Sequence, residues 1–135
     1  RIINASRGAV VDNCAVVNSS HEYYFDVWEN EPHCSLSILR NAKLATPHIA
    51  GYSLQGKANA TAMVVNYIMQ YFGLPISDWY PPKVERTKER LIDWEELCST
   101  IDSYCSISEE SQYFKEHHNE FESLRNNYIY RQEYF

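Results

Sequence analysis

Glycine is scarce in this sequence of 135 residues: Gly8, Gly51, Gly56 and Gly73 are the only four. Their spacing fits no glycine-rich phosphate-binding turn, and the chain contains no GxGxxG. The four cysteines, Cys14, Cys34, Cys98 and Cys105, form neither a CxxC pair nor a regular framework. A chain of this size needs no disulfide staples, so reduced thiols in a cytoplasmic setting are expected. Lys and Arg are scattered rather than clustered, and the net charge is −6, which argues against a nucleic-acid partner. No apolar run approaches the ~20 residues of a membrane span, and no signal-peptide pattern opens the chain. Adjacent His117 and His118 would point apart on a helix, and no further ligand stands at a suitable spacing, so no metal is expected.

What is present can build a core, since 44% of the residues are hydrophobic. Ile2 and Ile3 read as a short strand running into Ser6-Arg7-Gly8, and Asp12 reads as the N-cap of a helix beginning "NCAVV". "EYYFDVW" and "AKLATP" read as second and third strands. Strands alternating with short helical pieces predict an α/β fold with a parallel sheet. From Ser53 to Phe72 the apolar positions Leu54, Ala58, Ala62, Val65, Ile68, Met69 and Phe72 recur at helical spacing, and Gly73 and Pro75 end the pattern.

The stretch "GLPISDWYPPKVERTKER" holds three of the five prolines and reads as a linker, which places a domain boundary between residues 76 and 77. Beyond it, "LIDW" reads as a short strand and "WEELCSTIDSY" and "NEFESLRNNYIY" as helices of a small separate module, residues 77–135. The opening "RIINAS" reads as the inside of a strand, and the chain is expected to be the C-terminal part of something longer.

Three ionisable residues follow the three expected strands: Arg7, Glu31 and His48. The carboxyl ends of strands in an open parallel sheet are where ligands bind. An arginine there can grip a carboxylate bidentately, a histidine can move a proton, and a carboxylate beside it can orient the ring. Singly, each has a plainer reading as a surface ion-pair partner, a solvated loop carboxylate or a packed histidine. Their common place at the strand ends carries the catalytic one.

The stretches "INASRGAVVD", "DVWENEP" and "TPHIAGYSLQGKA", in that order, resemble the C-terminal half of the nucleotide-binding domain in the D-isomer-specific 2-hydroxyacid dehydrogenases. The tail "EFESLRNNYIYRQEY" resembles a C-terminal dimerisation domain found on one type of that family. The resemblance implies the C-terminal half of a Rossmann-type parallel-sheet domain in residues 1–76, followed by a small α+β dimerisation module. It also implies NAD as cofactor, a small phosphorylated 2-hydroxy acid as substrate, a homodimer, and no nucleic-acid or membrane partner. Carried over by position, it makes Arg7 the binder of the substrate carboxylate, His48 the acid/base and Glu31 its partner. Ala5, Ser6, Arg7, Asp26 and Gly51 would line the cofactor, and Tyr52 would touch substrate, with Arg131 as candidate for the phosphate. Between Asp12 and Asp26 the chain is a few residues shorter than the resemblance implies, so the first helix must be a stub unless residues are absent between Asn18 and Ser19. Without the glycine fingerprint the fragment alone is expected to be inactive. A phosphoglycerate or glycerate type of the same family is an alternative, as is a dinucleotide-sensing corepressor or scaffold on the same fold.

Overall fold

A computed structural model describes residues 1–88 and 90–133. Among them the fold is mixed α/β, with strands β1 (Ile2–Asn4), β2 (Tyr23–Phe25) and β3 (Leu44–Ala45) forming one parallel sheet in the order β1-β2-β3. Ile2 pairs with Tyr23 and Tyr24 with Leu44, as expected for strands that follow one another through crossovers. The helices are α1 (Asn13–Val17), α2 (Leu36–Asn41), α3 (Leu54–Tyr71), α4 (Trp94–Tyr104), α5 (Ile107–Glu116) and α6 (Phe121–Asn126). None of the described helices is long and apolar enough to cross a membrane.

The local signals act as read. The Asp12 carboxylate accepts from the amides of Cys14 and Ala15 and starts α1. That helix is five residues long, the stub that the short connection to β2 requires. Ser53 caps α3 by accepting from the Gly56 amide, and Gly73, at φ +63, closes it in the left-handed conformation glycine tolerates best. "LIDW" is not a strand: Leu91 lies fully in solvent, and Asp93 instead caps α4 by accepting from the Glu96 amide. A capping carboxylate two residues from an unpaired Leu outweighs a short β-like run with no neighbouring strand.

The chain forms two compact units that are not consecutive in sequence. The first takes residues 1–50 and 106–128, the second residues 51–105 and 129–135. Composition changes at 76/77, whereas packing divides the chain after residues 50, 105 and 128. In the first unit the rings of Tyr23, Phe25, Trp28, Phe114 and Phe121 join Val16, Ile38 and Leu39 in a single core. Helix α5 covers the open edge of β3, where the Ser111 hydroxyl accepts from the Ala45 amide at 2.9 Å. That satisfies a buried donor an edge strand would otherwise leave bare. In the second unit α3 buries Gln55, Ala58 and Ala62, while Ile68 and Phe72 of its apolar stripe stay exposed.

Candidate functional site

Each of the three strands ends in a loop that carries one of the expected site residues, and a polar network ties the loops together. After β1, buried Asn4 organises the first loop: its Oδ1 accepts from the amide and hydroxyl of Ser6, and its Nδ2 donates to the Arg7 carbonyl at 2.9 Å. Gly8 then runs against the second loop. A Cβ there would lie 2.1 Å from the Trp28 carbonyl carbon and oxygen, so the close approach admits only glycine. The Arg7 loop is thereby seated on the Trp28–Glu29 backbone.

The second and third loops meet through Glu31. One carboxylate oxygen accepts from the Trp28 amide at 2.7 Å, and the other meets His48 Nδ1 at 2.8 Å. Both side chains are about three-quarters buried, at 24% and 25% exposure. A carboxylate can only accept from Nδ1–H, so this contact leaves Nε2 as the ring nitrogen able to take a proton. The pair is therefore an oriented base with its working atom free.

His48 itself stands at φ +59, a left-handed conformation uncommon for a residue with a Cβ. Buried Asp26 holds it there. The Asp26 carbonyl accepts from the His48 amide at 2.8 Å, its Oδ1 from the Thr46 hydroxyl and the Ile49 amide, and its Oδ2 from the Ala50 amide. The Trp28 indole donates to the Thr46 carbonyl at 2.9 Å, and Arg125 of α6 donates to the His48 carbonyl at 3.3 Å. Backbone strain of this kind is retained where surrounding contacts over-determine it, and such places cluster at functional sites.

The structure thus brings Glu31 and His48 into contact. Arg7 is exposed at the same edge of the sheet, its Nη1 turned to the Ser6 carbonyl at 2.6 Å, and it makes no ion pair among the described residues. Ala5 and Ser6 are exposed beside it. Asp26 spends its carboxylate on the His48 loop. In the second unit Gly51 faces open space, and Arg131 donates to the Tyr52 carbonyl at 3.2 Å within its own chain. Asn4, Asp26 in its loop-holding role, and Arg125 are positioning residues that the sequence reading did not find. An Asn at a strand end is a weak signal for the first, and nothing local announces the other two. Burial and the Glu31 charge push the thiol of nearby Cys34 up to about 12, which disfavours the thiolate.

No protein-family model matches the chain. Its similarity to individual proteins is clear. It is 34% identical over 148 residues to the erythronate-4-phosphate dehydrogenase of Pseudoalteromonas atlantica, across 98% of this chain and 40% of that protein. The enzyme of the same name from Idiomarina loihiensis is 36% identical over 141 residues, across 94% of this chain and 37% of that protein. A third, from Coxiella burnetii, is 49% identical over a shorter stretch of 74 residues, 54% of this chain and 20% of that protein. The chain is similar to the C-terminal portion of the erythronate-4-phosphate dehydrogenases. It spans about two fifths of the length of the first two of these relatives. By name the erythronate-4-phosphate dehydrogenases are oxidoreductases, and the substrate in that name carries a phosphate.

Proposed function

We propose that the full-length protein oxidises 4-phosphoerythronate to its 2-oxo acid with NAD, in the cytoplasm, as a step of pyridoxal phosphate biosynthesis. The 2.8 Å contact between Glu31 and His48 at the carboxyl ends of parallel strands carries this reading. It supplies an oriented, partly sheltered base of the kind needed to remove a hydroxyl proton.

In this reading Arg7 binds the substrate carboxylate through its planar fork, which its freedom from any described carboxylate leaves available. His48 Nε2 takes the proton from the C2 hydroxyl, and Glu31 holds the ring at Nδ1 and stabilises the imidazolium. In the reverse direction His48 returns that proton. NAD, when bound, would supply the acceptor for the hydride of C2. Exposed Ala5 and Ser6, and Gly51 with open space at its Cα, are suited to lie along the cofactor. Asp26 then acts on the cofactor side through the loop it holds. Tyr52 contacts substrate, and Arg131 is assigned to the phosphate. Residues 1–76 belong to the nucleotide-binding Rossmann-type domain and residues 77–135 to the linker and a dimerisation module of a homodimer.

The test is steady-state turnover by the full-length protein. His48→Ala should lower kcat by about 10²–10⁴, the usual worth of general acid–base catalysis. A variant that keeps wild-type kcat would remove His48 from the chemistry. The 135-residue chain alone, lacking the glycine fingerprint that recognises pyrophosphate, should show no calorimetric binding of NAD at micromolar concentration.

A further inference from the structure

We infer that Tyr130 is a positioning residue that fixes the ring of Tyr52, held in place by a short run of chain latched to the first turn of α3. This rests on the proposed function, in which Tyr52 contacts substrate, and adds a residue to it. The Tyr52 ring follows Gly51, which has no side chain to brace it and around whose missing Cβ nothing lies within 4 Å. Tyr130 supplies a brace. The two rings meet edge to face at 84° with centroids 5.5 Å apart, within the range that aromatic pairs favour. Lys57 lays its ammonium 4.1 Å from the Tyr52 centroid and 5.7 Å from that of Tyr130, so one cation spans the pair.

The run that follows Tyr130 is what brings it there. Arg131 pairs with Ser53 in a parallel bridge, and the Leu54 amide donates to the Arg131 carbonyl at 2.9 Å. The Glu133 amide donates to Gln55 Oε1 at 3.0 Å, and Gln55 Nε2 donates to the side-chain oxygen of Gln132. The Ser53 hydroxyl donates to the Glu133 carboxylate while it accepts from the Gly56 amide.

Ser53 and Gln55 are buried, at 2% and 7% exposure. Burying a polar side chain without a partner costs free energy, so the run cannot lift away without stranding the Gln55 amide. A glutamine on the buried side of α3, beside Ala58 and Ala62, is accounted for by the run it grips. Tyr130 itself stays 44% exposed and lies outside the hydrophobic core. Its removal leaves the buried contacts of the latch in place, and its role shows in the ring it orients rather than in stability.

The test uses the full-length protein with Tyr130→Ala and Tyr130→Phe, assayed with the phosphorylated 2-hydroxy acid, each alone and in a Tyr52→Ala background. Losing the ring pair should raise KM about 2- to 10-fold, the range one aromatic contact supplies, with kcat unchanged. Tyr130→Phe should keep the original KM, because the phenyl ring keeps the contact. In the Tyr52→Ala background Tyr130→Ala should add nothing, since a residue that acts only through another has no effect once that other is gone. An unchanged KM in Tyr130→Ala, a rise that Tyr130→Phe shares, or the same rise without Tyr52 overturns the inference while leaving the dehydrogenase reading intact. If the unsubstituted protein turns over no 2-hydroxy acid, that reading fails instead. Nuclear magnetic resonance of tyrosine-labelled protein then decides the positioning. Tyr52 ring resonances that shift more in Tyr130→Ala than in Tyr130→Phe support it, and no such difference overturns it.

Discussion

The first compact unit buries an aromatic cluster, and the second displays large apolar side chains along one helix. Phe25, Trp28, Phe114 and Phe121 are all buried in the first, whereas Met63, Tyr67, Tyr71 and Phe72 stand open along α3 in the second, with Tyr71 at 71% exposure. Both regions carry helical apolar periodicity, so the pattern alone does not decide burial. Cover decides it. Residues 106–128 return to the first unit and lay α5 on β3, closing a core there, while the α3 face has no equivalent lid among the described residues. The candidate acid/base pair sits in the closed unit, where rigid surroundings can hold a strained histidine and its partner in register.

The comparison breaks most readily at Phe114. The side chain is 1% exposed and touches both Trp28 and Phe121 edge-on or tilted. Phe114→Ala should cost about 3–5 kcal/mol, the usual range for removing a buried phenyl ring. Urea denaturation of the 135-residue chain, followed by tryptophan fluorescence, checks it. A loss below about 1 kcal/mol would show that the tail is not part of the core.

Next comes Gly8→Ala. The added methyl would collide with the backbone of Trp28, which cannot swing aside as a flexible side chain would. The expected loss is about 1–3 kcal/mol, as for overpacking elsewhere. Because the same contact seats the Arg7 loop, KM in the full-length enzyme should rise as well. Wild-type stability and KM together would place the two loops farther apart than described.

A third change probes the polar side of the closed unit. Asp26→Asn keeps the shape but replaces one accepting oxygen with a donor facing the donors of the His48 loop. It should destabilise by about 1–2 kcal/mol through loss of charge-assisted bonds. Amide hydrogen exchange should quicken at Ile49 and Ala50 before it does in β2. Unchanged exchange at those two amides would show that the loop holds its shape without the carboxylate.

The parts that could be read from the sequence are the parts governed by near neighbours. The Asp12 cap, the Ser53-to-Gly73 helix and the three strands each depend on residues within a few positions, and they stand where expected. Strand-end logic brings Glu31 and His48 together, and the structure places them 2.8 Å apart. Residues whose roles span long separations were not legible. Ser111 capping Ala45 across 66 positions, and Arg125 reaching His48 across 77, leave no local trace. "LIDW" misled for a related reason: β-like composition carries no information about whether a partner strand exists.

The smallest expected effect is on the open face of α3, and it tests the comparison from the other side. Tyr67 and Tyr71 stack on each other at 6.4 Å between centroids, yet both remain mostly exposed. Tyr67→Ser with Tyr71→Ser removes that contact and a little helix propensity, but it opens no cavity and strands no polar group. In the 135-residue chain at low concentration the pair should change stability by less than about 1 kcal/mol, since each surface substitution is usually worth within ±0.5 kcal/mol. Urea denaturation at two protein concentrations measures it. A loss of several kcal/mol at both would mean the rings are buried against the chain itself. A loss seen only at the higher concentration would mean that copies of the chain cover the face by associating, because only association makes stability depend on concentration. Either result would remove the contrast between a closed unit and an open one.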